Sequence, residues 1–327
     1  MLNTKPVKYI AYLVLVALLF LLPLAIRDTY TLHLLCYIAL NIIFAGSLRL
    51  IMAVGELSLA HAAFMGIGAY ASALLTLRLD LQFLLALPLS GIIAAVIAYP
   101  IGLITLRLKG AYFLLITFAF AEVIRIILSN YWIGIFGGVP GITGIPAPVI
   151  SFGTLLHFEL SSKIQYYYLA LVLMLLSVFA MRRLEKSRIG LVFDAIREEE
   201  ILAESVGINR MRQKVLAFVI ACFFAGIAGC YYAHFLHIIT PHDFALHAIL
   251  LPSAYVIIGG MGTIAGPVVG TTVLMLVSNF VLQEFGYYEM LIYGVLMVLV
   301  IILVPQGLIS LPARIHSLVN RSTRQEN

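Results

Sequence analysis

Apolar runs of membrane-spanning length fill this chain and leave little else to fold. An α-helix needs about 20 consecutive apolar residues to cross the hydrocarbon core of a bilayer. Ten stretches of that kind fall at about 9–26, 31–54, 57–77, 83–105, 111–131, 166–181, 214–238, 246–260, 264–283 and 288–304. In lipid every backbone N–H and C=O must be satisfied within the protein, so long continuous apolar runs are helical. The expectation is an all-α, polytopic integral membrane protein of about ten transmembrane helices, forming one domain over 1–327. Glycines and prolines interrupt the pieces around 55–70 and 246–283, so some helices are expected to be broken or re-entrant. Only 11% of residues are charged, against about 25% in soluble domains.

Basic residues set the orientation. With the N-terminus in the cytoplasm and ten alternating spans, the cytoplasmic segments hold Lys5, Lys8, Arg107, Lys109, every basic residue from Arg182 to Lys214, and Arg314, Arg321 and Arg324. The outer loops hold only Arg27, Arg78 and Lys163, while Arg49 and Arg125 fall inside spans. This asymmetry places both termini in the cytoplasm. The apolar run after Lys5 and Lys8 is long, and no small-residue cleavage site follows Ile26, so a retained first span is favoured over a cleaved signal peptide. The loop 132–165 is then external, with turn-forming GGVPGITGIPAP at 137–148.

Chemistry on this chain is hard to find. There is no G-x-x-x-x-G-K-[ST], no H-E-x-x-H and no G-x-S-x-G. Cys36, Cys222 and Cys230 all lie in apolar runs, without metal-ligand spacing or a disulfide framework. No metal site is expected, and any ATP and Mg would be bound by another chain. The formal charge of +5 does not indicate nucleic acid, because the basic residues sit in short loops between apolar spans.

One long charged island interrupts the apolar pattern, SRIGLVFDAIREEEILAESVGINRMRQKVLAF at 187–218. Asp194, Glu198, Glu199, Glu200 and Glu204 balance Arg188, Arg197, Arg210, Arg212 and Lys214. Within the cytoplasmic loop 182–214, residues 191–206 read as one short amphipathic helix. Val192, Ala195, Ile196, Leu202, Ala203 and Val206 follow the spacing of one helical face. Asp194, Arg197, Glu198, Glu200 and Glu204 lie mostly off it. Gly207 is a natural stop and Asn209 a natural cap for the next helix. Such an element suits a groove in a soluble partner. The plainer alternative is an interfacial helix on the bilayer, but those are usually rich in Lys and Arg, and this one is acidic.

Three further features fall on the spans. GELSLAHAAFMGIGAYAS at 55–72 combines Glu56, Ser58 and His61 with Gly66 and Gly68. IIGGMGTIAGPVVG at 257–270 has a similar texture, with Gly259, Gly260 and Gly262. Paired glycine-interrupted segments point to a pathway built around broken helices, and equally to close helix packing. Glu56 and His61 are expected near a membrane surface, where polarity costs little. Glu122 and Arg125 sit in the middle of the 111–131 span, three residues apart on one face, where they can pair. Each charge costs roughly 2.5–3.5 kcal/mol at a helix centre, so the pair either fixes packing or lines a polar route.

Together these motifs resemble the inner-membrane permease subunits of ABC transporters for branched-chain amino acids, specifically the M-type of the two paired permeases. GELSLAHAAFMGIGAYAS is similar to the family's GQ-x-SLGHAAF-x-GIGAY segment. AYFLLITFAFAEVIRII at 111–127, GITGIP at 141–146, SRIGLVFDAIREEEILAESVGIN at 187–209 and GGMGTIAGP at 259–267 match further blocks in the same order. The resemblance covers nearly the whole chain. It implies an all-helical permease that does not itself hydrolyse ATP, with a second permease chain, two ATP-binding subunits and a periplasmic or extracellular solute-binding protein. It also implies that the 182–214 loop engages the ATPase, through Val192, Ala195, Ile196, Glu199, Leu202, Ala203, Val206 and Gly207. Glu56, Ser58, His61, Gly66, Gly68, Glu122, Arg125, Gly259, Gly260 and Gly262 are the candidate pathway residues.

The chain departs from the family pattern at Glu56, where Gln is usual, and at Ala60, where Gly is usual. Related members also carry urea, amides or aromatic acids. A secondary transporter driven by protons or sodium, with Glu122 and His61 as coupling groups, would leave the acidic docking helix unexplained. An intramembrane enzyme lacks any recognisable nucleophile or metal constellation.

Overall fold

The computed structural model describes residues 14, 16–24, 28–152, 156–280, 288, 291, 292, 294, 295, 298 and 307–310. Helices dominate it. They are α1 (Thr29–Met52), α2 (His61–Leu79), α3 (Phe83–Thr105), α4 (Ala111–Asn130), the single turn α5 (Ile133–Phe136), α6 (Lys163–Glu185), α7 (Arg188–Glu198), α8 (Glu200–Ser205), α9 (Arg210–Leu236), α10 (His247–Gly259) and α11 (Ala265–Phe280). Among the described residues seven helical segments are long and apolar enough to cross a membrane, the last being Pro241–Gly259, where a 3-10 turn leads into α10. The protein is a multi-pass membrane protein. The expected spans 9–26 and 288–304 lie largely outside the described residues, as do the basic residues Lys5, Lys8, Arg27, Arg314, Arg321 and Arg324.

Local signals start and stop these helices. Asp28 caps α1 by accepting from Thr31 N at 2.9 Å. Ser162 and Gln165 form a reciprocal capping box at the start of α6. Ser187 caps α7 and Asn209 caps α9, the latter accepting from Arg212 N at 3.0 Å. Gly207, at φ +88°, takes the left-handed turn that ends α8. Short strands appear only in the loops: β1 (Ile142–Thr143) pairs antiparallel with β4 (Ile238–Ile239), and β2 (Val149–Phe152) with β3 (Leu156–Glu159).

The core is built on α9, which packs most extensively against α3, α2 and α1. Small residues make this approach possible. A Cβ on Gly68 would run into the backbone of Gly226, and one on Gly66 would meet the Phe244 ring at 2.8 Å. Both glycines therefore sit at contacts between packed elements. Overpacking a tight core costs about 1–3 kcal/mol, occasionally more. Gly68→Val is expected to exceed that range, because backbone and not a flexible side chain blocks the Cβ; loss of monodisperse protein on size exclusion would show it, and normal yield and melting would refute it. By contrast α3 and α4 bury little of their surface in this chain.

Candidate functional site

Two breaks in the helical pattern lie at the same end of the bundle, and each is pinned by buried charge. The first is the irregular segment 53–60 between α1 and α2. Its Glu56 is buried and accepts a hydrogen bond from Lys214 Nζ at 2.8 Å. Lys214, in the first turns of α9, is only 2% exposed and also donates to Glu200 at the start of α8. Glu200 in turn takes Lys109, from the α3–α4 link, and Arg210, whose Nη1 lies 3.3 Å away. Burial pushes the Glu200 carboxyl up, but hydrogen bonds from Lys109 and Lys214 outweigh it and bring the group down to about 2. Glu200 is therefore ionised throughout the neutral range. Its contribution is complete above about pH 4.5 and is lost only as pH falls through about 2.

The second break is 260–264, between α10 and α11. Arg49, in the last turn of α1, reaches it and is 2% exposed. Its Nε donates to the Met261 carbonyl at 3.1 Å and its Nη2 to that of Gly262 at 2.8 Å. Glu185, the last residue of α6, sits 3.5 Å from Arg49 Nη2 and accepts from Ile264 N at 3.1 Å through its other oxygen. Arginine suits this position because its rigid fork serves several acceptors at once. Gly260, at φ +116°, makes the turn that the break requires.

Several predicted residues take their places around these clusters. Glu56 and His61 are both buried within the protein. Glu56 is tolerated inside because Lys214 neutralises it. His61, at the start of α2, stacks on Phe44 with ring centroids 5.2 Å apart and shares a 2.8 Å hydrogen bond with Ser47. Among the described residues its Nδ1 and the Ser58 hydroxyl are buried without a hydrogen-bond partner. The break is also held to α4, where Leu59 N donates to Thr117 Oγ1 at 3.2 Å. Gly259 packs against Gly266 and Gly270, whereas among the described residues nothing crowds Gly262.

The stretch 191–206 is not one helix. The chain turns at Glu199, whose backbone is extended (φ −155°, ψ 103°), so that α7 and α8 are separate. Just past the turn, Glu200 reaches inward to Lys214 and Lys109. The expected docking face splits accordingly. Ile196 and Ala203 are buried against the chain itself, with Phe193, which the helical pattern left out. They seat the element on the membrane domain. Leu202 (64% exposed) and Val206 (71%) point away, and Ile201 and Leu191, which the sequence reading also left out, are exposed as well. Val192 and Ala195 are half-buried, and Glu199 and Gly207 are exposed.

Glu122 and Arg125 pair as their spacing predicts. Arg125 Nε donates to both carboxylate oxygens at 2.9 and 3.0 Å. About a third of each side chain remains accessible on the outward side of α4. An ion pair is costly to leave in contact with lipid, so this side of α4 needs protein or water beside it.

Sequence reasoning missed Arg49 and Glu185, and it used Lys214 only as a topology marker. The signal available was the rule that an ionisable residue in an apolar span is a functional-site candidate, applied to Arg125 and not to Arg49. Among the described residues no cluster of three or more His, Cys, Asp or Glu side chains is placed to hold a metal ion.

Comparison with known proteins identifies the family of the chain. A family model described as "Branched-chain amino acid transport system / permease component" matches residues 30–301. The high-affinity branched-chain amino acid transport system permease protein LivM of Escherichia coli (strain K12) is 35% identical over 292 residues, covering 83% of this chain and 68% of that protein. Its Salmonella typhimurium counterpart is 36% identical over 276 residues, covering 78% of this chain and 64% of that protein. The permease protein LivH of E. coli is 29% identical over 130 residues, 38% of this chain and 41% of LivH. The chain thus spans about two thirds of the length of its LivM relatives. No solved structure matches it. With a family match across most of its length and a LivM relative sharing more than a third of the aligned residues, the chain belongs to the permease components of branched-chain amino acid transport systems, and its role is transport rather than catalysis.

Proposed function

We propose that this chain is the M-type permease of an ATP-driven importer of branched-chain amino acids in a bacterial inner membrane. It works with a second permease chain, two ATP-binding subunits that hold ATP and Mg, and a solute-binding protein on the outer side. Both termini and the 182–214 loop face the cytoplasm, in line with the excess of Lys and Arg at the end carrying α7 and α8. The observation that carries the reading is the placement of α8. Its outer side is apolar and uncovered, while its inner side holds Glu200 on Lys214, which holds Glu56 in the first break. A soluble subunit pressing on Leu202 and Val206 would move Glu200. Through Lys214 it would then move the segment that carries Ser58 and His61. Alternating access follows when that segment shifts against α4, where Glu122 and Arg125 stand beside the route. The tight selection of solute is left to the soluble receptor.

The test is ATP-driven uptake of radiolabelled leucine into proteoliposomes holding all components. Leu202→Glu and Val206→Glu are expected to leave the permease folded, lower uptake by an order of magnitude or more and release the ATP-binding chain on purification, as loss of an apolar anchor at an interface does. Ile196→Glu should instead damage folding, because that side chain is buried. Uptake that persists without the ATPase would overturn the mechanism, and a receptor that binds another solute while coupling remains intact would change only the substrate.

A further inference from the structure

A second site lies away from the charged end. An apolar groove of about 550 Å³ runs between α2, α3 and α4, lined by Ile67 and Leu74, by Ile93 and Ile97, and by Ile124 and Leu128. This volume falls within the ~300–1,000 Å³ of ordinary ligand sites. One residue in its lining is charged, Arg78 in the last turn of α2, at the end of the bundle opposite α7. Arg78 Nη2 donates to the Gly134 carbonyl, and among the described residues no carboxylate pairs with the guanidinium. Tyr131 and Trp132 follow α4 at the same end and are well exposed. Trp132 is the sole tryptophan of the chain, and such rings favour the headgroup level of a membrane.

We infer that this groove binds one phospholipid from the leaflet at the Arg78 end, with an acyl chain laid between α2, α3 and α4 and the phosphate on the Arg78 guanidinium. The chemistry fits at both ends. A trough that is apolar apart from the Tyr70 hydroxyl and the Arg78 end suits a hydrocarbon chain, and an arginine at headgroup depth, with donors to spare, suits a phosphate. An amino-acid zwitterion fits poorly, because among the described residues no carboxylate lines the groove to meet its ammonium group and the Tyr70 hydroxyl is the one uncharged polar side-chain atom in the lining. The groove also opens along α3 and α4, the two helices that bury least of their surface in this chain, so a lipid can enter sideways.

Photo-crosslinking tests this directly. The assembled transporter is reconstituted in nanodiscs of phosphatidylethanolamine and phosphatidylglycerol containing a phospholipid with a diazirine-bearing acyl chain, and the adducts are mapped by mass spectrometry. Adducts are expected to concentrate on the groove residues. Ile97→Trp, which fills the groove, should abolish them, and Arg78→Gln should lower them roughly tenfold, the loss expected from one charge-assisted hydrogen bond. Arg78→Lys keeps the charge and should retain much of the labelling. Arg78→Gln lies at the surface and keeps the test readable should Ile97→Trp fail to fold. Labelling spread equally onto outward residues of α3 such as Val96 and Tyr99 would mean bulk lipid only and overturn the proposal. So would labelling indifferent to both variants, or a groove that crosslinks to another protein chain instead.

Discussion

Lys214→Met is expected to destabilise the protein by about 3–5 kcal/mol, the usual penalty when one partner of a buried ion pair is removed and the other is left uncompensated. The stranded group is Glu56, buried in the first helix break with the Lys214 ammonium 2.8 Å away. Glu200 suffers less, since Lys109 and Arg210 remain beside it. The measurement is thermal melting of the purified permease complex in nanodiscs, together with the yield of monodisperse protein. The double variant Glu56→Gln, Lys214→Met provides the decisive comparison. It removes the stranded charge and restores the residue usual in the family at position 56, so it should recover most of the lost stability. A single variant as stable as the parent, or a double variant no better than the single, would show that the pair carries no such weight.

Arg49→Met is expected to be comparably damaging. It deprives the carbonyls of Met261 and Gly262 of their donors and removes the guanidinium 3.5 Å from Glu185. Buried groups left unsatisfied cost about 1–3 kcal/mol each, and more when charged. Arg49→Lys separates charge from geometry. Lysine keeps the positive charge near Glu185 but lacks a planar fork that can serve two carbonyls and a carboxylate together. It should therefore recover part of the stability and little of the ATP-driven uptake. Protease sensitivity of 260–264, read by limited proteolysis in detergent, should rise in Arg49→Met. Unchanged protection there would argue that the break is held by its glycine packing alone.

How much of this was legible in the sequence depended on how local each interaction is. The helices were visible because apolar runs of span length have few alternatives in a bilayer. Asn209 and Gly207 were visible because caps act within a few residues, and the pairing of Glu122 with Arg125 because three residues on a helix bring them together. Lys214 and Glu56 are 158 positions apart, and Arg49 and Glu185 are 136 apart. No short-range pattern marks such pairs, so neither Lys214 nor Glu56 announced its partner. The coupling element shows a different limit. Helical periodicity finds an apolar face but not which body covers it. Ile196 and Leu202 share one pattern in the sequence, yet the turn at Glu199 sends the first into the bundle and the second out of it.

Both pins also share one support. Arg49 stands just before the end of α1 and Glu56 just after it, so the two gaps in the bundle hang from opposite sides of the same short piece of backbone. If a soluble subunit pulls on Lys214 as proposed, the load should reach the break at 260–264 as well as the one at 53–60, and damage to either pin should be felt at both.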